Sequence, residues 1–202
     1  MLHLTAEKAL AAALELLSKS GTVLLAPTET VYGLICAADD ESAKERIYRL
    51  KHRPQNKMLA NFVPSVDTVR QTVSSVPEVA ERIAEHFCPG PVTLVIPDGQ
   101  GSTYGFRIPD HPFMLALLRA YGKTLASTSA NLSGEPAALS VPDALRSLDG
   151  EVDLAIDGGT IPADSLASTV IQVNADNSWK ILRQGPVTEE MLAKVLIQME
   201  KS

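Results

Sequence analysis

The 202 residues include 18 basic and 24 acidic side chains, giving a net charge of −6, and 45% are hydrophobic. The acidic balance argues against a protein that holds nucleic acid through bulk positive charge, and a chain of this length buries about 70% of its unfolded surface without disulfide or metal staples. No run of about 18 apolar residues predicts a membrane span, and Glu7, Lys8 and Glu15 interrupt the apolar pattern of the first segment, which therefore does not read as a secretory leader.

Thr5 can cap a helix running to about residue 19, with Ala9, Leu10, Ala13, Leu14 and Leu17 on one face and Gly21 as its stop. Residues 22–26 form a short apolar run before Pro27, the pattern of a buried strand. Asp40 can cap a helix over 42–50 that Pro54 ends. A strand over 58–63, a short helix near 66–73 and a longer one near 77–87 follow. Cys88-Pro89-Gly90-Pro91 punctuates the chain ahead of a strand over 92–96. Beyond a flexible loop at 99–103 come a strand over 106–108, a helix over 111–121 and a strand over 123–127. Residues 141–148 read as a helix with proline in its first turn. Strands over 152–156, 168–173 and 179–182 and a closing helix over 189–199 complete the chain. Strands and helices alternate irregularly, so the expected class is α/β (α+β-like), a twisted mixed open sheet with helices packed around it. With no linker, repeat or low-complexity tract, one domain is expected to fill residues 1–202. Cys36 and Cys88 are expected as buried free thiols in a reducing, cytoplasmic setting.

Three segments break the hydrophobic periodicity: Pro27 to Gly33, Lys51-His52-Arg53-Pro54, and Ser127 to Gly134. Each is expected where a strand or helix ends, the place where an α/β protein presents side chains to a ligand. Lys51 and Arg53 can complement a helix dipole, or grip adjacent phosphates as a point charge beside a planar fork. Ser127, Thr128, Ser129, Asn131 and Ser133 read either as a hydroxyl-rich turn or as a surface that a ligand approaches closely at Gly134. Thr28 and Thr30 flank Glu29 and read as turn formers or ligand donors. Arg107 lies inside an apolar run, where a charge needs a partner or an open site, and a carboxylate ligand suits it. Arg183 ends another apolar run, and Ser168 opens a strand. No phosphate loop, dinucleotide fingerprint, Ser-His-Asp order or metal-ligand run occurs, a pattern suited to catalysis by positioning and charge neutralisation.

Taken in order, these motifs resemble the YrdC-like threonylcarbamoyl-AMP synthase family in its short, single-domain form, over about residues 4–187. The matching segments are Pro27 to Leu34, Leu50 to Pro54, Pro89 to Thr93, Phe106 to Pro109 with His111-Pro112, Ser127 to Gly134, and Ile181 to Gly185. The resemblance implies a fold with a large concave cavity. The implied enzyme joins L-threonine, bicarbonate and ATP, with Mg2+ carried by the phosphates, into threonylcarbamoyl-AMP and pyrophosphate. Downstream tRNA-modifying transferase proteins then use the product, and direct contact with tRNA is left open. Lys51, Arg53, Ser129 and Asn131 match the family's nucleotide site, with Thr93, Ser133 and Arg183 as further nucleotide contacts. Thr30, Arg107 and Ser168 match the threonine pocket. No metal-binding side chain is implied. Two departures stand out: Phe62 occupies a position where members often carry histidine, and no extra C-terminal domain follows the closing helix. Two other functions are compatible with the fold: a non-catalytic double-stranded RNA- or tRNA-binding member, and a carbamoyl-transfer module of the hydrogenase-maturation type. The intact Lys51/Arg53 and Ser129/Asn131 elements argue against the first, and the missing partner domains against the second.

Overall fold

The computed structural model describes residues 1–197. Ten strands form one sheet: β1 (Leu2–Thr5), β2 (Leu24–Ala26), β3 (Gly33–Ala37), β4 (Ala60–Phe62), β5 (Val92–Pro97), β6 (Thr103–Arg107), β7 (Leu125–Ser129), β8 (Leu154–Asp157), β9 (Thr169–Val173) and β10 (Trp179–Arg183). Their order is β1-β8-β2-β3-β7-β4-β6-β5-β9-β10. Parallel and antiparallel pairs are mixed along it: β5, for example, pairs antiparallel with β6 and parallel with β9. The helices are α1 (Ala6–Leu17), α2 (Glu41–Leu50), α3 (Val66–Arg70), α4 (Glu78–Phe87), α5 (Pro112–Tyr121), α6 (Val141–Ser147) and α7 (Glu189–Leu196). No helix among the described residues is long and apolar enough to cross a membrane.

Helices cover both faces of the β8-β2-β3-β7 half. Ala43, Ile47 and Leu50 of α2 and Val141 and Ala144 of α6 pack with Leu25, Leu34 and Ala155 on one face. Ala9, Ala13 and Leu17 of α1 and Met114, Leu117 and Leu118 of α5 pack with Leu24, Ile35 and Ile156 on the other. Each fully buried leucine, isoleucine, valine or methionine among them contributes roughly 1.5–3 kcal/mol. The other half differs. Leu94, Ile96, Phe106 and Ile171 pack with Val79, Ala80 and Ile83 of α4 and Leu192 of α7. Side chains alternate across a strand, so Thr93, Val95, Gly105, Arg107 and Val170 point the opposite way, and they line a cavity. The period-two pattern thereby assigns one face of β6-β5-β9 to the core and the other to the site. In β10 the register slips between Ile181 and Arg183, which pair with Ile171 and Val170. This one-residue bulge brings Arg183 level with a cavity-lining partner.

The sequence reading missed two strands. β3 is buried at all five positions, and its apolar run directly follows the Tyr32-Gly33 motif, so it reads as an extension of that motif. β1 is a four-residue edge strand, largely exposed, paired parallel with β8. Thr128 and Ser129 lie inside β7 rather than beyond it, paired with Leu34 and Gly33. β6 starts at Thr103, earlier than expected. The predicted end of the last helix, at residues 198–199, lies outside the described residues.

Candidate functional site

Helix α2 ends in a Schellman turn that sets the first half of the site. Lys51 is the C-cap, His52 takes a positive φ of 47°, and Arg53 N–H returns to Tyr48 O at 2.9 Å while His52 N–H bonds Arg49 O at 3.1 Å. Glycine usually fills the left-handed position, and histidine there costs roughly 1–2 kcal/mol. The turn is fixed from outside as well. Ser133 N–H caps Lys51 O and Asp149 N–H caps Leu50 O, both at 2.9 Å, filling carbonyls that a helix end leaves open. His52 Nε2 lies 2.6 Å from Asp149 Oδ2 on the surface.

Lys51 turns inward and is 1% exposed. Its ammonium donates to the main-chain carbonyls of Ser129 and Asn131. Burial first, and the Arg53 charge second, push it down to about 8. Arg53 donates from Nε to Lys57 O and from Nη2 to Met58 O, each at 2.9 Å. Arg183 donates from Nε and Nη2 to Ser168 O at 3.2 and 2.7 Å, and from Nη2 to Ser168 Oγ at 3.1 Å. Burial lowers both arginines from their ordinary range, and for Arg183 repulsion from Arg107 and then Arg53 adds to it. All three cations therefore bond neutral oxygens, and none has a carboxylate partner among the described residues. They line a cavity of about 280 Å³ with Ser129, Asn131, Ser133 and the exposed Glu135. Asn131 donates its amide to Leu132 O and Glu135 O, which leaves Oδ1 buried without a partner, as is Ser133 Oγ. Buried polar atoms are ordinarily bonded, so these two await a ligand or solvent. Gly134 sits at φ +95° with no neighbour within 4 Å of an added Cβ, and it too lines this cavity.

A second cavity of about 270 Å³ adjoins the first, lined by Thr28, Tyr32, Phe62, Thr93, Arg107 and Ser168 among others. Arg107 is 5% exposed, and its Nη2 bonds Glu29 Oε1 at 2.7 Å and Thr30 Oγ1 at 3.0 Å, with Nε on Gly90 O at 3.1 Å. Its guanidinium lies 5.8 Å from the Phe62 ring centre, within cation–π range. The partner that the buried arginine required is thus Glu29, whose Oε2 is buried and unbonded. Sequence reading left Glu29 without a role, although a carboxylate between two threonines was the available signal. Thr28 Oγ1 donates to Val31 O at 2.7 Å and accepts from Thr30 and Val31 N–H. The turn-forming reading of Thr28 therefore holds. Thr30 is buried behind Arg107 and reaches the cavity through it. Thr93, expected among the nucleotide contacts, instead lines the Arg107 cavity with its Oγ1 2.8 Å from Ser168 Oγ.

Tyr32 carries a role the sequence did not disclose. Its hydroxyl donates to Gly159 O at 2.7 Å and accepts from Gly158 N–H at 3.0 Å. It fastens to the cavity wall the start of the 158–168 loop, which ends at Ala167 and Ser168 in the site. His111 lies nearby with Nδ1 buried and unbonded. Burial lowers its affinity for a proton, opposed by Glu29 and then Asp110. Cys36 and Cys88 are free; Cys36 is buried as expected, Cys88 only half-buried, and burial pushes their thiols up to about 12 and about 11, which keeps both protonated at neutral pH. No cluster of three or more acidic, histidine or cysteine residues suited to a metal occurs among the described residues. The arrangement pairs a compensated arginine in one cavity with uncompensated cations in the next, a layout for holding and neutralising anions.

The family model for Sua5, YciO and YrdC proteins, described as "Telomere recombination", matches residues 16–185. The chain is 33% identical over 190 residues to the threonylcarbamoyl-AMP synthase of Bacillus subtilis, covering 89% of this chain and 54% of that protein. It is 32% identical over 178 residues to the threonylcarbamoyl-AMP synthase of Vibrio cholerae, covering 83% and 93%. The crystal structure of Pyrococcus abyssi Sua5 complexed with L-threonine superimposes with a TM-score of 0.85 at 32% identity, over 96% of this chain and 60% of that one. The chain thus spans little more than half of the Bacillus protein and nearly all of the Vibrio one.

Proposed function

Since the chain belongs to the Sua5/YciO/YrdC family, we propose that it is a threonylcarbamoyl-AMP synthase that makes the adenylate used in threonylcarbamoyl modification of tRNA. The observation that carries this reading is the convergence of Lys51, Arg53 and Arg183 on one cavity with no carboxylate partner, beside a cavity built on Arg107. A triphosphate suits the first and an amino-acid carboxylate the second. In this reading Arg107, steadied by Glu29 and Thr30, holds the threonine carboxylate. Thr93 and Ser168 offer hydroxyls to the same substrate. Asn131 Oδ1 and Ser133 Oγ take hydrogen bonds from the nucleotide.

The threonine amine and bicarbonate form a carbamate and water. A carbamate oxygen then attacks the α-phosphorus, and pyrophosphate leaves. Lys51 and Arg53 neutralise charge that grows on the phosphoryl oxygens, and they are already in place before reaction, so little reorganisation is needed. Magnesium enters as part of the ATP substrate. We assign the product to separate tRNA-modifying transfer proteins. The test is pyrophosphate release from ATP and Mg2+, with and without L-threonine and bicarbonate. Release dependent on both is the expected result. ATP binding without release would overturn the synthase assignment, and absence of ATP binding would favour the RNA-binding alternative.

A further inference from the structure

Behind Arg107 two polar atoms are sealed from solvent without a hydrogen-bond partner: Glu29 Oε2 and His111 Nδ1. Glu29 gives its other oxygen to Arg107, 2.7 Å from Nη2. His111 is the N-cap residue of α5, yet its side chain does not cap the helix. The ring turns instead toward the start of the 27–32 turn. Its Nε2 lies 3.7 Å from the point a Cβ on Gly158 would occupy, and the Pro27 ring lies 2.7 Å from that same point. Gly158 thus leaves the space in which ring and turn meet, and the Tyr32 hydroxyl holds it there through its N–H at 3.0 Å. The charge of Glu29 acts on the ring more strongly than that of Asp110, its neighbour in the chain. The carboxylate therefore stands beside the imidazole.

A buried polar atom without a partner is costly. Two such atoms in one place cancel each other's cost when one can only accept and the other carries a proton. A carboxylate can only accept, whereas a neutral imidazole donates from one nitrogen and accepts at the other, as its hydrogen bonds dictate. We infer that His111 is a positioning residue of the amino-acid cavity: its Nδ1–H donates to Glu29 Oε2, directly or through one buried water, and so holds the carboxylate whose other oxygen orients Arg107. The inference deepens the reading of that cavity as a threonine site and rests on it. His111 lines neither cavity, so it acts through Glu29 and takes part in no bond change. The chain His111–Glu29–Arg107 fixes the guanidinium from behind, while Arg107 keeps its face on the cavity for a carboxylate.

The tautomer is read on wild-type protein by nitrogen-15 NMR of the histidine rings at about pH 8, where the buried ring is neutral. Nδ1 of His111 is expected to carry the proton, and Glu29→Gln to move its resonance. A neutral ring with its proton on Nε2 would overturn the inference without any variant. Threonine titrated by calorimetry reads the consequence. His111→Phe, which keeps a ring but no donor, is expected to weaken threonine binding about 3- to 10-fold, the effect of one lost hydrogen bond. His111→Asn, whose amide nitrogen can stand where Nδ1 stands, is expected to restore wild-type affinity within about twofold. A ring that only filled space would give the opposite order, because phenylalanine fills it better than asparagine. A non-hydrolysable ATP analogue should bind all three proteins within about twofold of one another. A His111→Phe protein that binds threonine as tightly as wild type, or a His111→Asn protein that binds it no better than His111→Phe, would also overturn the inference. If the synthase reading fails instead, wild-type protein binds no threonine, and the tautomer still decides the contact between His111 and Glu29.

Discussion

Replacing Lys51 with methionine tests the reading most directly, because opposing terms of similar size meet at this residue. The side chain is 1% exposed and its ammonium is pushed down to about 8. Relative to an ordinary lysine near 10.4, that depression corresponds to roughly 3 kcal/mol of cost for carrying the charge at neutral pH. Methionine removes this cost. It also removes the donor to Ser129 O and Asn131 O, and an unsatisfied buried carbonyl costs about 1–3 kcal/mol. The terms nearly cancel, so Lys51→Met is expected to fold, with its denaturation midpoint little changed. Ligand binding has no such cancellation. A charge-assisted contact to phosphate is worth roughly 1.5–3 kcal/mol, so ATP affinity measured by calorimetry should fall about 10- to 150-fold. Adenylate formation should fall further, because phosphoryl charge grows in the transition state. A Lys51→Met protein that stays folded and binds ATP within about twofold of wild type would refute the reasoning.

The same lysine gives a pH signature. It is charged below about 8, so pyrophosphate release should hold up to that pH and decline above it, and Lys51→Arg should move the decline upward. Stability runs the other way: between about 8 and 10.4 the unfolded chain binds more protons, so thermal stability of the free protein should gain from Lys51 as pH rises through that window. Arg107→Ala should raise the threonine requirement by about tenfold or more while leaving ATP affinity nearly unchanged, because it lines only the second cavity; equal losses for both substrates would contradict the assignment. Tyr32→Phe removes two hydrogen bonds, from Gly158 N–H and to Gly159 O, which should cost about 1–3 kcal/mol in chemical denaturation and speed amide exchange at Gly158.

Much of the fold was legible because its signals are local. The spacing of Ala43, Ile47 and Leu50 and the Asp40 cap define α2 within one residue of where it lies. The strands missed were those whose identity is set by neighbours. β1 has an alternating but short and exposed pattern, and it exists because β8 offers it an edge. β3 is covered on both faces, which erases the alternation that would have marked it. Within the site, the cations were visible as residues out of place in apolar or helical patterns. Their partners were not: Glu29 and Arg107 are 78 positions apart, and no local pattern states which carboxylate will meet a buried arginine. The division into two cavities was equally hidden, since Thr93 faces Ser168 only once β5 and β9 pair.

That division gives the site a charge logic of its own. At Arg107 itself the positive charge is matched by Glu29 at 2.7 Å, so both signs are present there, while Arg53 and Arg183 line the same cavity where it meets the first. Such a pocket favours a zwitterion over a simple anion, because a bare carboxylate gains attraction from Arg107 and repulsion from Glu29, whereas an amino acid brings an ammonium as well. In the Lys51 cavity four cations, Lys51, Arg53, Lys57 and Arg183, face one exposed glutamate, Glu135, and the excess is positive. Such a pocket favours a ligand with several negative charges over a zwitterion. Glu29→Gln should therefore erode discrimination rather than binding as such. Arg107 keeps its hydrogen-bond partner but loses the opposing charge, so simple carboxylates such as acetate should become stronger inhibitors with respect to threonine, by about 5- to 10-fold for loss of one buried charge interaction. The readout is the ratio of the acetate inhibition constant to the threonine KM on the same protein, which a general loss of structure would leave unmoved. An unchanged ratio in a folded Glu29→Gln protein would show that the Glu29–Arg107 pair serves the fold and not the choice of substrate.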